Sequence, residues 1–154
     1  MRKFTSIVLA FFIYNATAGQ DVNLIIQVNE NIELGSFTNI HVTLDSSKGS
    51  SKYEVDYVPG SLKLSEQVTN LLTHDSTKSI YLFLTYNTYK QNGDHQTATF
   101  YVRLTQRQLH QPYLIWSIYD FRDKKYRKWY QTDKKQEFAS DLRYPNSGIL
   151  IRNR

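Results

Sequence analysis

The residues with the most distinctive chemistry lie between 122 and 135, RDKKYRKWYQTDKK, where seven basic side chains meet only Asp123 and Asp133. That local excess equals the formal net charge of the whole 154-residue chain, +5, so positive charge is concentrated here. Arg122, Lys124, Lys125, Tyr126, Arg127, Lys128, Trp129 and Tyr130 are the candidate binding residues. Cations interleaved with aromatic rings suit anionic or planar partners. Phosphates and bases of nucleic acid pair with Lys and Arg and stack on rings. Acidic glycans offer carboxylates or sulfates, and at a membrane surface Trp and Tyr favour the headgroup layer. Read as a strand, 126–132 places Tyr126, Lys128 and Tyr130 on one face and Arg127, Trp129 and Gln131 on the other. The competing structural reading makes Trp129 core, Tyr126 and Tyr130 the cover of a sheet edge, and the lysines a guard against edge-to-edge pairing.

Catalytic and metal chemistry find no comparable support. His41, His74, His95 and His110 are far apart, and none has the i, i+4 spacing of a helical metal pair. His74-Asp75-Ser76 holds the residue types of a hydrolytic triad, but adjacent residues cannot supply nucleophile, base and orienter geometry. No GxGxxG, P-loop or GxSxG pattern occurs. The expectation is therefore no enzyme activity, no metal and no cofactor. Ser117-Ile118-Tyr119-Asp120-Phe121 resembles the strand of C2 domains that leads into a calcium-binding loop, where an aspartate in a similar setting is a ligand. The resemblance covers five residues. A hard cation takes six to eight oxygens, and only Asp120 and Asp123 are near, so calcium binding is not carried over with it.

The elements that must position these residues centre on 79–105. Asn92-Gly93 is a strong signal for a two-residue type I′ hairpin turn. With those two as the loop, Gln91 opposes Asp94, Phe83 opposes Val102 and Thr85 opposes Phe100. This register predicts a core face of Tyr81, Phe83, Ala98, Phe100, Val102 and Leu104. Leu82, Leu84, Tyr86 and Thr88 fall on the other face, with Arg103, Tyr101, Thr99 and Thr97.

Elsewhere the alternation Val22, Leu24, Ile26, Val28 predicts a strand over 22–28, and Phe37, Ile40, Val42 and Leu44 predict another over 36–44. Residues 45–51, DSSKGSS, read as a loop. Tyr53, Val55 and Tyr57 read as a half-exposed strand ended by Pro59-Gly60. Over 61–72, Leu62 and Leu64 suit a strand, whereas Leu64, Val68, Leu71 and Leu72 share a helical face. The expectation there is one short helix. Residues 113–121, YLIWSIYDF, are apolar on both faces and predict a central strand; 126–132 and 148–152 complete the set. Seven to eight strands with at most one short helix predict a mainly β chain, an antiparallel β-sandwich of immunoglobulin-like or C2-like type. A closed barrel is the second choice.

Residues 1–18 have the form of a secretory signal peptide, with Arg2 and Lys3, an apolar centre over 7–14 and Ala16-Thr17-Ala18 before the cut. Eight apolar residues are too few to span about 30 Å of hydrocarbon at 1.5 Å per residue. The expectation is a single domain over 19–154, secreted or extracytoplasmic, and periplasmic if the source is bacterial. Cysteine is absent, which excludes disulfides and thiolate chemistry. Export makes nucleic acid the least expected partner. What remains is a binding or adhesion module contacting a protein partner, an anionic glycan or a membrane surface. A structural or assembly protein acting through edge-strand pairing is the alternative.

Overall fold

Alternation at Val22, Leu24, Ile26 and Val28 has its expected consequence: all four side chains are buried in the computed structural model. The structure describes residues 19–32, 35–46, 49–72, 77–89, 95–130 and 136–147. The chain is mainly β, with several antiparallel sheets. In order it forms β1 (Asp21–Val22), β2 (Leu24–Val28), β3 (Asn31–Ile32), β4 (Phe37–Ser46), β5 (Gly49–Glu54), β6 (Asp56–Val58), β7 (Ser61–Lys63), α1 (Glu66–Leu72), β8 (Thr77–Tyr89), β9 (His95–Leu104), α2 (Gln106–Leu109), β10 (Leu114–Asp120), α3 (Lys124–Tyr130) and β11 (Phe138–Arg143). The strands assemble as β1-β7-β6, β11-β10-β2-β3 and β5-β4-β8-β9. A shared buried cluster joins them, with Leu24, Ile26 and Trp116 from one four-stranded sheet and Leu82, Leu84 and Phe100 from the other. Val68 and Leu72 of α1 and Leu109 of α2 close it.

The apolar run over 113–121 takes the central place expected of it, as β10, between β11 and β2. Its pairing with β2 is parallel, Leu114 beside Leu24 and Ile118 beside Val28, which departs from the all-antiparallel expectation. Parallel pairs need a long crossover and burial on both faces, and β10, buried from Trp116 to Asp120, meets the second condition. Along the far edge of β2, the Gly60 N–H donates to the Leu24 carbonyl at 2.8 Å, and the Ile26 N–H donates to the Tyr57 hydroxyl at 2.9 Å. Burial pushes the Tyr57 phenol above its ordinary pKa, although the N–H it accepts works the other way.

The hairpin of β8 and β9 forms, but one residue out of the expected register. Leu82 pairs with Val102, Phe83 with Tyr101, Leu84 with Phe100 and Thr85 with Thr99. The core face is Ile80, Leu82, Leu84 and Tyr86, and Tyr81 and Phe83 face outward half-buried. The physical reason is the fit between strands. This register gathers Leu82 and Leu84 with Phe100 and Leu104, and full burial stabilises each leucine by about 1.5–3 kcal/mol, which outweighs a turn preference. The outer face accepts aromatics because they find cross-strand partners. Phe83 stacks on His41 of β4 at 5.0 Å between ring centres and tilts against Tyr101 of β9 at 5.6 Å. Asn92-Gly93 lies outside the described residues.

Further expectations are corrected. Asp45, Ser46 and Gly49 to Ser51 belong to the β4-β5 hairpin, so most of the polar stretch 45–51 is strand. Over 61–72 both readings hold in succession, with β7 followed by α1. The described residues contain three helices where at most one was expected. They contain eleven strands, because stretches such as 22–28 divide into shorter pieces. The capping box that starts α2, Thr105 with Gln108, and the strand β11 were both missed. The stretch 148–152 lies outside the described residues.

Candidate functional site

Over Lys124–Tyr130 the basic-aromatic stretch is a helix, not the strand expected over 126–132; residues 131–135 lie outside the described residues. Alternation of charged and aromatic residues fitted a two-residue period, yet Tyr126 and Tyr130 also sit four apart, one turn of helix. The seat for that face decides the outcome. Tyr119 and Phe121, at the end of β10, form with Tyr126 a second small buried cluster, apart from the main core. Tyr126 packs on Tyr119 with ring centres 5.9 Å apart, and Tyr130 meets Tyr119 at 4.9 Å and Phe121 at 5.6 Å. The Asp123 carboxylate accepts the Lys125 N–H at 2.8 Å, so it satisfies one of the otherwise unpaired donors of the first turn.

Several of the expected site residues turn out to be structural. Arg122 donates through Nε to both oxygens of buried Asp120, at 3.0 and 2.8 Å, and through Nη2 to Oδ2. Its backbone N–H adds a bond to Oδ1 at 2.9 Å. Such a bidentate pair holds the guanidinium in the protein rather than leaving it for a ligand. It also answers the calcium analogy, since the carboxylate of Asp120 is taken up by Arg122. Tyr126 is 3% exposed, and its hydroxyl donates to the Asn29 carbonyl at 2.9 Å, close to Glu30 Oε2 at 3.4 Å. Asn29 in turn accepts the Asp120 N–H on its side-chain oxygen at 2.9 Å. Arg127 is half-buried, and its Nε has no hydrogen-bond partner among the described residues.

Asn29 and Glu30 form the two-residue turn between β2 and β3, at φ 52° and 71°. Positive φ at both positions is what a type I′ turn requires. The turn chemistry expected at Asn92-Gly93 is thus found here, on residues without glycine. A glutamate in the left-handed region is uncommon.

The remaining candidates share the outer surface of α3. At about 100° per residue, Lys124, Lys128, Lys125 and Trp129 fall within one arc of about 140°, and Tyr126 and Tyr130 lie outside it. All four are exposed; Trp129 is 51% exposed. Lys125 Nζ stands 4.4 Å from the centre of the Trp129 ring and 5.0 Å from that of Tyr126, a cation–π arrangement. Trp129 meets Tyr126 edge-on at 5.3 Å. Tyr130, 37% exposed, forms the rim.

Trp129 is therefore surface, and the competing reading of the stretch as a protected sheet edge falls with the strand it required. Two of these charges work against the helix, while Lys128, in its last turn, suits the macrodipole. Lys124 and Lys125 occupy its first turn, where the macrodipole disfavours cations by roughly 0.3–1 kcal/mol, and that turn contains no acidic residue. Sequence reading singled out the stretch. It could not separate Arg122 and Tyr126 from the outer residues without knowing the period.

Among the described residues no group of three or more His, Cys, Asp or Glu side chains is placed to hold a metal. His74, Asp75 and Ser76 lie outside them. An open depression lined by Tyr53, Glu66, Gln67, Asn70 and Leu71 includes no residue of α3. No described helix is long and apolar enough to cross a membrane. Compared with known protein families, curated proteins and solved structures, the chain matches none.

Proposed function

We propose that the chain is an exported, non-enzymatic binding or adhesion module that contacts an anionic surface through the outer face of α3. Lys124, Lys125 and Lys128 supply charge and Trp129 supplies contact area, with Tyr130 at the rim. The observation that carries this reading is the half-exposed Trp129 ring with a lysine ammonium against it, on a helix whose own stability the first-turn lysines oppose. Arg122, Tyr126 and Arg127 build the platform behind that face. In this proposal the two four-stranded sheets form a sandwich of immunoglobulin-like or C2-like type within one domain over 19–154, after removal of residues 1–18.

The test is retention on an anionic matrix such as immobilised heparin as salt is raised. Exposed charges are screened within about 8 Å at physiological ionic strength. Wild-type protein elutes at higher salt than a variant in which Lys124, Lys125 and Lys128 are replaced by Gln. Absence of salt-sensitive retention on every anionic surface tried overturns the proposal.

A second reading rests on a different observation. Strand β9 is ten residues long and stands at the edge of its sheet, an arrangement suited to strand addition by an assembly partner. Concentration-dependent self-association, unaffected by the lysine substitutions, favours that reading over the first.

A further inference from the structure

Resting on the reading of α3 as an anionic-surface contact, we propose that the surface is a phospholipid bilayer. The helix lies in its interface plane, with Trp129 at the level of the headgroups. The argument starts from which cations face outward. Of the two arginines, whose planar forks suit bidentate grip on a single sulfate or phosphate, Arg122 is committed to Asp120, and Arg127 is half-buried with its Nε shielded from water. The three outward cations are all lysines, compact point charges on flexible stems. That pattern fits a diffuse sheet of negative charge better than a fixed array of anions to be gripped one by one.

The ring supplies the second part. An indole half out of water, with an ammonium 4.4 Å from its centre, places apolar area and positive charge at one depth. Headgroup layers present the same combination, with phosphates beside the upper acyl region, and Trp and Tyr concentrate there. Tyr130 lies beside it, also exposed. Seven residues make a helix about 10 Å long, enough for a few headgroups and far short of a span. Three lysines stand on this face against exposed Asp123 at the helix start. Asp123, the carboxylate nearest the helix start, accepts a backbone N–H of the first turn.

The two tryptophans make a direct experiment available. Trp116 is fully buried, so changes in emission on binding report Trp129. The full chain is mixed with vesicles of phosphatidylcholine alone, of phosphatidylcholine with phosphatidylglycerol, and of the same mixture with brominated acyl chains. Any contribution from residues 1–18 is common to wild type and variants, so the comparison isolates α3. Wild-type protein binds the phosphatidylglycerol vesicles with a blue shift and is quenched by the brominated lipid. Each Lys→Gln change weakens binding about fivefold, and the triple change about a hundredfold. Trp129→Phe removes the blue shift and the quenching. Salt-sensitive retention on heparin without vesicle binding overturns the bilayer inference and leaves the anionic-surface reading standing. Failure on both surfaces overturns both. Vesicle binding that the triple change leaves unaltered, or that leaves the emission unmoved, shows that α3 is not the contact.

Discussion

The main core and the small cluster under α3 hold their elements by different means. In the main core, aliphatic residues of three sheets interlock, and Leu24, Ile26, Leu82, Leu84, Trp116 and Ile118 are all fully buried. Under α3 there are three buried aromatics, Tyr119, Phe121 and Tyr126, and the polar end of one of them is tied to the β2-β3 turn. The first arrangement fixes strand register and leaves little tolerance for change. The second anchors a seven-residue helix by one face and one hydroxyl. The outer face, with the lysines and Trp129, is left largely to solvent. The proposed contact surface rests on this smaller anchor.

The comparison gives its largest expected effects in the main core. Trp116→Ala should destabilise the protein by about 3–5 kcal/mol, seen as a lower midpoint in chemical denaturation with loss of the whole β signal. Leu84→Ala should remove about 2–5 kcal/mol, and Phe83→Ala clearly less. The reverse order would restore the register in which Phe83 faces the core.

Next in size is the α3 anchor. Tyr126→Phe should remove about 0.5–1.5 kcal/mol with the hydrogen bond to Asn29. Tyr126→Ala should speed amide exchange within α3 ahead of β8 and β10, since a locally anchored element opens before the global unit. Uniform acceleration across all three would show that the two clusters are one cooperative unit.

A smaller effect depends on pH. The buried Tyr57 phenol is pushed above its ordinary value near 10, so its neutral form is the one the fold prefers. The stability it contributes is fully present below the unfolded pKa and is lost as pH rises towards the folded one. Thermal midpoints should fall as pH rises above about 10, and Tyr57→Phe should flatten that fall while lowering the midpoint at neutral pH, because the Ile26 N–H loses its acceptor. An unchanged alkaline slope in the variant would assign the fall to other groups.

Legibility in the sequence followed the same division. The burial of 22–28 could be read because Val22, Leu24, Ile26 and Val28 share one face while only Ile25 is apolar on the other, and the central place of 113–121 because both its faces are apolar. In the hairpin, Tyr81 and Phe83 alternate with Leu82 and Leu84, so either phase offers an apolar face. Turn chemistry then favoured the wrong one, and only the fit against Phe100 and Leu104 settles it. A turn after residue 28 could be read, but its tight two-residue form was hidden because Asn29-Glu30 lacks the glycine that signals positive φ. For α3 the stretch was visible but its period was not. Charged and aromatic residues suited both a strand and a helix, and the deciding partners, Tyr119 and Phe121, lie on another element. The basic-aromatic composition therefore located the candidate surface, while its division into platform and contact depended on tertiary packing.

The smallest stability change and the most informative one coincide at Trp129. The measurement is the thermal midpoint and the anionic-surface affinity of Trp129→Ala, taken on the same preparation. An exposed contact residue predicts a stability change within about 0.5 kcal/mol together with a severalfold loss of affinity. A loss of about 3–5 kcal/mol, as for a core aromatic, with affinity unchanged, would contradict the claim that the outer face of α3 is built for contact.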